Sequence, residues 1–339
     1  MLHRRPDLVP PVWAAAMAMM TLLALCGPAQ AHPASPQMPA HPPSQSTGAG
    51  AASAAAAPAW PTSTIHWVVA DLPPHFTFKD GRAPQRPQDL GEGEVDGFLH
   101  LLVDRMPQFR HEFLEVSLPR FEALARQGET LCSVLHVRTP ERLQWLYFTS
   151  LYPPQVSRQI HVVVRLEDMG KFVKDGQVLQ LSDLLQRSDL VGLLPRNRSY
   201  GPRIDKLLAT HPERAPRTIV AGRSTNLLPM LKARRMDYTL EYPATVDDYM
   251  AQHPEAPGLA KLPVAEGRST TLATAGCSRT PEGRVAILAI DKALRQMAVD
   301  PQRDAWIRAW RRKLPLDAED HQRLLRYLDE RGRGPAQVD

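Results

Sequence analysis

One short segment of the chain combines a guanidinium, a hydroxyl and a turn. Thr139 and Arg142 stand in the run Val137-Arg-Thr-Pro-Glu-Arg142, in which a proline follows the threonine. A planar guanidinium holds a carboxylate through two parallel charge-assisted hydrogen bonds. The segment therefore predicts an anion-binding site with Arg142 as its anchor and Thr139 in the same turn. The alternative is a surface ion pair such as Arg142 with Glu141, which contributes little to stability.

Ser199 and Tyr200 form a second candidate group, because they stand directly before Gly201 and Pro202 at a predicted helix start. Backbone amides at a helix N-terminus favour anions. The tyrosine adds a flat ring for stacking and a polar hydroxyl at its tip. A plain helix cap that binds no ligand is the alternative.

Other kinds of site lack support in the sequence. It contains no His-x-x-x-His, Cys-x-x-Cys, Gly-x-Ser-x-Gly or P-loop motif, so we expect neither a metal nor a cofactor. The 41 Lys and Arg residues against 36 Asp and Glu give a net charge of +5 over 339 residues. That charge density is too low to predict nucleic-acid binding. A hydrophobic share of 43% with 23% charged residues indicates a globular chain.

The first 63 residues carry export features rather than a fold. Residues 1–31 read as a secretory signal peptide with a cleavage site after Ala31. Residues 32–63 form a Pro/Ala/Ser-rich linker without a charged residue, and such a composition predicts disorder. We therefore expect an exported protein with an exposed tether in front of its fold.

Cleavage of the signal removes one of three cysteines, Cys26. The remaining Cys132 and Cys277 are candidates for one disulfide in an oxidising compartment. Two buried free thiols are the alternative, because the sequence alone does not give the distance between them.

From residue 64 onward, short apolar runs alternate with segments of helical periodicity. Strands alternating with helices predict an α/β fold with parallel sheets, and the length favours two lobes. Ligands of open α/β sheets bind at the carboxyl ends of the strands, so we expect the site in the cleft between the lobes. Strands are predicted over 65–70, 113–116, 131–137, 160–165, 190–194, 218–221, 236–240 and 270–275, and helices over 95–106, 118–127, 181–185, 200–209, 225–233, 283–297 and 302–313.

Four segments, in their order and spacing, resemble the extracytoplasmic solute-binding proteins of the amino-acid-binding type, bacterial solute-binding protein family 3. The most specific is the Thr-x-x-Arg of Thr139 and Arg142 followed by an aromatic-x-Ser-x-Tyr run ending at Tyr152. The others are 71–81, 181–184 with 191–192, and 230–237. A Gly-x-Gly-x-x-Asp turn at 91–96 resembles a little-characterised subgroup of the family.

The resemblance implies a two-lobed periplasmic-binding-protein type II fold, in which each lobe is a mostly parallel sheet flanked by helices. It also implies a periplasmic monomer that binds a small anionic ligand and works with ABC-transporter membrane subunits. Neither nucleic-acid binding nor membrane insertion after signal cleavage is expected. The implied organisation is signal peptide 1–31, disordered linker 32–63, first lobe 64–157 with 265–325, second lobe 158–264, and flexible tail 326–339.

The resemblance places an aromatic wall against the ligand at His75 and Phe76. It also shows two departures in the second lobe. Tyr242 occupies the position of the aspartate that pairs with the ligand ammonium, and Glu241 lies one residue earlier, where strand alternation turns it to the other face. Arg198 lies in a segment where two arginines replace the usual glycine and threonine. These departures favour an anionic or aromatic ligand over a free amino acid.

Two other functions stay open on the sequence. One is an enzyme similar to cyclohexadienyl dehydratase, which resembles this fold, with Glu241 as a buried general acid. The other is a ligand-sensing module that acts through a separate partner. No paired acid and base is evident, so a binding protein without catalysis is the principal expectation.

Overall fold

The computed structural model describes residues 64–154, 159–173, 178–220, 227–255, 258–267, 271–313 and 315–339. The predicted signal peptide, its cleavage site after Ala31 and the linker lie outside these residues. The strands are β1 (Thr64–Val69), β2 (Arg110–Glu115), β3 (Cys132–Ser133), β4 (Leu146–Tyr152), β5 (His161–Arg165), β6 (Leu193–Pro195), β7 (Arg217–Ile219), β8 (Thr239–Glu241), β9 (Leu259–Pro263) and β10 (Ala273–Ser278).

The α-helices alternate with these strands over much of the chain. They are α1 (Glu94–Asp104), α2 (Leu118–Arg126), α3 (Leu181–Leu184), α4 (Pro202–Thr210), α5 (Leu227–Lys232), α6 (Pro243–Gln252), α7 (Pro281–Ala298), α8 (Arg303–Trp310) and α9 (Ala318–Arg333). None of the described helices is long and apolar enough to cross a membrane.

The first lobe is built on a five-stranded sheet with the order β2-β1-β3-β10-β4. Strand β1 pairs in parallel with β2 and β3, whereas β10 runs antiparallel to β3 and β4. Trp67 faces one hydrophobic core and Val68 the other, because neighbouring side chains of a strand point to opposite faces. Helices α1, α2, α7, α8 and α9 cover the two faces of this sheet.

A disulfide between Cys132 and Cys277 joins β3 to β10 in the first lobe. The two residues are register partners, and their Cα atoms lie 4.1 Å apart. Of the two possibilities that the sequence leaves open, the structure therefore shows the paired cysteines.

The second lobe contains β5 to β9 and helices α3 to α6. Strand β5 lies between β8 and β9 and is antiparallel to both. Strands β6 and β7 pair in parallel, and an isolated parallel bridge between Gly192 and Tyr238 connects this pair with the segment before β8. The α/β fold class is thus confirmed, but the sheets are mixed rather than mostly parallel.

The C-terminal residues differ from the predicted flexible tail at 326–339. Helix α9 runs to Arg333, and Leu324 and Leu328 pack into the core of the first lobe. Arg331 is 1% exposed and donates a 2.7 Å hydrogen bond to Asp291 on α7. A buried apolar stripe and a buried ion pair hold this helix in place, so the prediction of a tail after residue 325 was wrong.

Candidate functional site

The anchor predicted from the sequence, Arg142, lies between the two lobes. It is 8% exposed, and its guanidinium donates to the Val137 carbonyl of the first lobe (2.9 Å) and the Asn197 carbonyl of the second (2.7 Å). The Arg142 amide donates to Thr139 Oγ1 at 3.2 Å, so the threonine orders the turn that carries the arginine. Thr139 and Arg142, both predicted from the sequence, are therefore joined by a hydrogen bond within one turn.

Burial lowers the pKa of Arg142, and the surrounding carboxylates of Glu141, Asp205 and Glu122 only partly offset that effect. Among the described residues, the hydrogen-bond acceptors of its guanidinium are the neutral backbone carbonyls of Val137 and Asn197. Within that part of the chain, the positive charge is consequently removed from water without a hydrogen-bonded carboxylate, which is unfavourable for an ion. An incoming anion would relieve this condition.

Asn197 of the second lobe contacts the first lobe twice. Its carbonyl accepts the hydrogen bond from Arg142, and its side-chain amide donates to Glu122 Oε2 on α2 at 2.7 Å. The residue has φ = 61°, a left-handed conformation that asparagine tolerates better than most residues. Asn197 thereby joins the lobes at the position of the predicted site.

Arg198, the next residue, forms a bidentate ion pair with Glu241. Its two terminal nitrogens donate to the two carboxylate oxygens at 2.7 and 2.6 Å. Glu241 is 2% exposed, and its Oε1 also accepts from the amide of Tyr242 at 2.8 Å. Burial alone would lower the pKa of Arg198, but the Glu241 carboxylate outweighs it and raises the pKa.

Two tyrosine rings flank this ion pair. The Arg198 guanidinium carbon lies 5.2 Å from the ring centroid of Tyr200 and 5.4 Å from that of Tyr242. A guanidinium within about 6 Å of an aromatic ring centroid gains a cation–π attraction. Four of the predicted residues, Arg198, Tyr200, Glu241 and Tyr242, therefore form one cluster.

Ser199 points to the start of α4 and not to this cluster. Its hydroxyl donates to Asp205, and the amide of Tyr200 donates to the same carboxylate at 2.7 Å. A carboxylate of the protein itself thus accepts the donors with which we expected an anion to bind. The simple helix-start interpretation of Ser199 fits this arrangement better than ligand binding.

His75 lies on a loop of the first lobe that faces Tyr242 of the second. The two ring centroids are 5.7 Å apart in an edge-to-face arrangement. On its other side, Nδ1 of His75 lies 3.8 Å from Glu94, whose carboxylate pairs with the buried Arg311 at 2.5 Å. Burial lowers the pKa of Arg311 to about 10. The His75 ring thus belongs to the contact between the lobes.

The loop of His75 is fixed by the predicted Gly-x-Gly-x-x-Asp turn. Asp96 is fully buried and accepts hydrogen bonds from the amides of Thr77 (2.8 Å) and Gly93 (2.9 Å). A Cβ on Gly93 would lie 2.5 Å from the carbonyl oxygen of His75, so only glycine permits this close approach. Burial raises the pKa of Asp96 to about 6.

Phe76 does not line the cleft as predicted. It is 0% exposed and packs edge-to-face on Phe78 in the core of the first lobe. His75 and Phe76 are neighbours in a tight turn: the amides of both donate to the Leu72 carbonyl, and Phe76 forms an antiparallel bridge with Leu72. Only His75 of the expected aromatic wall therefore reaches the second lobe.

Several residues of the site were not predicted from the sequence, namely Asn197, Glu122, Asp205, Glu94 and Arg311. Only Asn197 carries a local signal, because asparagine is favoured where φ is positive. The other four are charged, and charged residues pair across long stretches of chain, as Glu94 does with Arg311. The sequence spacing therefore does not predict such pairs. Within the described ranges, no group of three or more His, Cys, Asp or Glu side chains could hold a metal ion.

The facing sides of the site differ in charge. The first wall, defined as His75, Thr139 and Arg142, presents an arginine held by neutral carbonyls. The second wall, defined as Arg198, Glu241 and Tyr242, presents an arginine already neutralised by a carboxylate. As defined, the two walls contain two arginines and one carboxylate, and the carboxylates of Glu141, Asp205 and Glu122 act on Arg142 from outside them.

Comparison with solved structures identifies the fold. An arginine-binding protein from T. maritima, in mutant form, is 14% identical with a TM-score of 0.53, covering 74% of this chain and 96% of its own. An ancestral arginine-binding protein bound to arginine is 16% identical (TM-score 0.53, 74% and 98% coverage). The substrate-binding protein of an amino acid ABC transporter is 12% identical (TM-score 0.52, 74% and 100%). No family model and no curated protein matches the sequence. The chain therefore has the fold of type II periplasmic binding proteins.

Proposed function

We propose that this chain is a periplasmic solute-binding protein that closes around a small carboxylate-bearing anion, for uptake or for sensing. The fold supports this proposal, because the similar structures include substrate-binding proteins of amino acid ABC transporters. The observation that carries the anionic ligand is Arg142, a buried arginine between the lobes whose acceptors among the described residues are neutral carbonyls. A carboxylate would give it a charge-assisted partner.

The second wall argues against a zwitterionic ligand. Glu241 is the carboxylate nearest in sequence to the position that pairs with an ammonium in the resembled family. Both of its oxygens accept from Arg198, so it does not offer an anionic partner to a ligand ammonium. The exposed edge of the site instead combines Tyr242 with His75, which suits an aromatic or apolar acid.

The same ion pair disfavours a dehydratase reaction. A general acid must carry a proton that it can deliver to the substrate. Both carboxylate oxygens of Glu241 accept charge-assisted hydrogen bonds from Arg198, so the protein itself occupies the group that would have to deliver the proton. Binding without turnover is therefore the proposed activity.

The proposal includes an exported location. Cleavage after Ala31 would release the protein into the periplasm with His32 as its first residue, where it acts as a monomer with ABC-transporter membrane subunits. Mass spectrometry of the protein purified from the periplasmic fraction should give this N-terminus. An uncleaved chain retained in the cytoplasm would contradict the location.

The anionic ligand can be tested with pairs of acids and their amides. Benzoate, phenylacetate and succinate should raise the melting temperature, whereas benzamide, phenylacetamide and succinamide should not. Replacing Arg142 with methionine should weaken binding of the active acid about 10- to 100-fold, since a hydrogen bond to a charged group contributes roughly 1.5–3 kcal/mol. Arg138→Met is the matched control, because Arg138 is exposed and pairs with Asp339.

Two results would overturn the proposal. One is an equal melting shift for the acids and their amides, which would show that the negative charge is not recognised. The other is unchanged acid affinity in Arg142→Met, which would show that Arg142 does not bind the acid.

A further inference from the structure

The geometry points to a cation site in the second lobe that is filled by the protein's own Arg198. We propose that Glu241, Tyr200 and Tyr242 form a pocket for a guanidinium, and that Arg198 acts as a tethered occupant excluding cationic ligands from the cleft. The inference rests on the proposed function, which it deepens by naming the ligand class that the second wall rejects.

The pocket has the groups that a guanidinium requires. The carboxylate of Glu241 meets the two terminal nitrogens of Arg198 at 2.6 and 2.7 Å, which is a fork-to-fork pair. The ring centroids of Tyr200 and Tyr242 lie 5.2 and 5.4 Å from the guanidinium carbon. A planar cation of this size would therefore gain both charge-assisted hydrogen bonds and aromatic contact.

The pocket is held by contacts that do not involve Arg198. The amide of Tyr242 donates to Glu241 Oε1, and Glu241 is the last residue of β8, which pairs with β5. Tyr200 is 5% exposed and packs into the hydrophobic core of the second lobe with Ile204. Its hydroxyl has no hydrogen-bond partner among the described residues. Removal of the arginine side chain should thus leave the carboxylate and the rings in place.

A tethered occupant competes strongly with a free one. A group attached through a short linker acts at an effective concentration in the millimolar range or above. The Arg198 guanidinium also brings no additional loss of translational freedom when it binds. Free guanidinium or ammonium groups would therefore not displace it at ordinary concentrations, and the cleft remains selective for anions.

The test is chemical rescue with methylguanidinium chloride, using sodium chloride at equal ionic strength as the reference. Arg198→Ala should bind methylguanidinium with a saturable rise in melting temperature, at least tenfold more tightly than the wild type. The double variant Arg198→Ala/Glu241→Gln should lose this increased affinity for methylguanidinium, because the carboxylate is absent. Arg196→Ala is the matched control, since Arg196 is exposed two residues earlier and its loss removes the same charge.

Poor folding of Arg198→Ala does not prevent the test. In that case the variant should refold from urea in the presence of 20 mM methylguanidinium and not in sodium chloride alone. The proposal is overturned if neither refolding nor the melting temperature responds to methylguanidinium, or if Arg196→Ala responds equally. Arg142 takes no part in this measurement, so failure of anion binding and failure of the cation pocket give different results.

Discussion

Two largely buried arginines, one on each wall of the site, are held in opposite ways. Arg142 of the first wall donates to two backbone carbonyls, and burial lowers its pKa. Arg198 of the second wall donates to the carboxylate of Glu241, which raises its pKa. An arginine therefore stands on each wall, but only the charge of Arg198 is neutralised by a carboxylate bound to it.

This difference shows that residue type alone does not identify a ligand-binding arginine. Both arginines lie within sequence segments that suggest anion binding, and both are largely buried. Their hydrogen-bond partners in the described part of the chain distinguish them, since a carboxylate neutralises Arg198 and carbonyl dipoles do not neutralise Arg142. The nearest protein charge thus separates Arg142, for which we propose a ligand, from Arg198, for which we do not.

The largest effect should come from removing the carboxylate of the second wall. Glu241→Ala leaves the Arg198 charge buried without a partner, which costs about 3–5 kcal/mol of unfolding free energy. Urea denaturation would measure the loss. Glu167→Ala is the control, because Glu167 is 54% exposed, pairs with Arg234, and should cost less than about 1 kcal/mol. If the two variants lose similar amounts, the second wall does not depend on its ion pair.

An intermediate effect should appear in the pH dependence of the turn that positions His75, a residue of the first wall. Burial raises the pKa of Asp96 to about 6 from 3.8, so the folded protein binds this proton more tightly than the unfolded chain. The resulting stability is fully present below about pH 4 and is lost as the pH rises through 6. It amounts to about 3 kcal/mol, at 1.36 kcal/mol for each pKa unit.

Comparison with Asp96→Asn isolates this contribution. Urea unfolding between pH 4 and pH 7.5 should show the wild type losing stability relative to the variant, which has no carboxylate to titrate at this position. Parallel stability curves would mean that Asp96 does not account for any pH dependence of the His75 loop.

The smallest effect should come from Asn197, the residue that joins the lobes. Asn197→Ala loses the hydrogen bond to Glu122 and places at φ = 61° a residue that tolerates this conformation less well than asparagine, for a combined cost of about 2 kcal/mol. Asn197→Gly loses only the hydrogen bond, because glycine accepts this φ, and should cost about half as much. Urea denaturation of both variants gives the comparison. Equal losses would show that backbone conformation contributes nothing to this contact.

The sequence predicts the fold better than it predicts the site. Regular patterns reveal most of the elements, for example β1 as an apolar run and α1 as an apolar stripe. Strand β4, helices α6 and α9, and strand β9 were not predicted, and β3 covers only two of the seven residues expected at 131–137. Helix α9 is rich in charge, but Leu324 and Leu328 form an apolar stripe at helical spacing that is visible in the sequence. Only the pairing of Arg331 with Asp291, forty residues earlier, has no local signal.

Within the site, the anchor follows from local sequence and its surroundings do not. Thr139 and Arg142 lie three residues apart in one turn, so the sequence alone already places them side by side. Arg198 and Glu241 are 43 residues apart, and only the folded chain shows that they neutralise each other. His75 and Phe76 are adjacent, and the turn around them decides which of the two enters the core. Long-range pairing therefore limits what a single sequence can show.

The bond between Cys132 and Cys277 also changes the topology of the molecule. These residues are 145 positions apart, and all strands and helices of the second lobe lie between them in the chain. The disulfide therefore closes a covalent ring that contains the whole second lobe, and the closing bond lies in the first lobe. A protease that cuts one peptide bond in the second lobe opens the ring but releases no fragment until the disulfide is reduced.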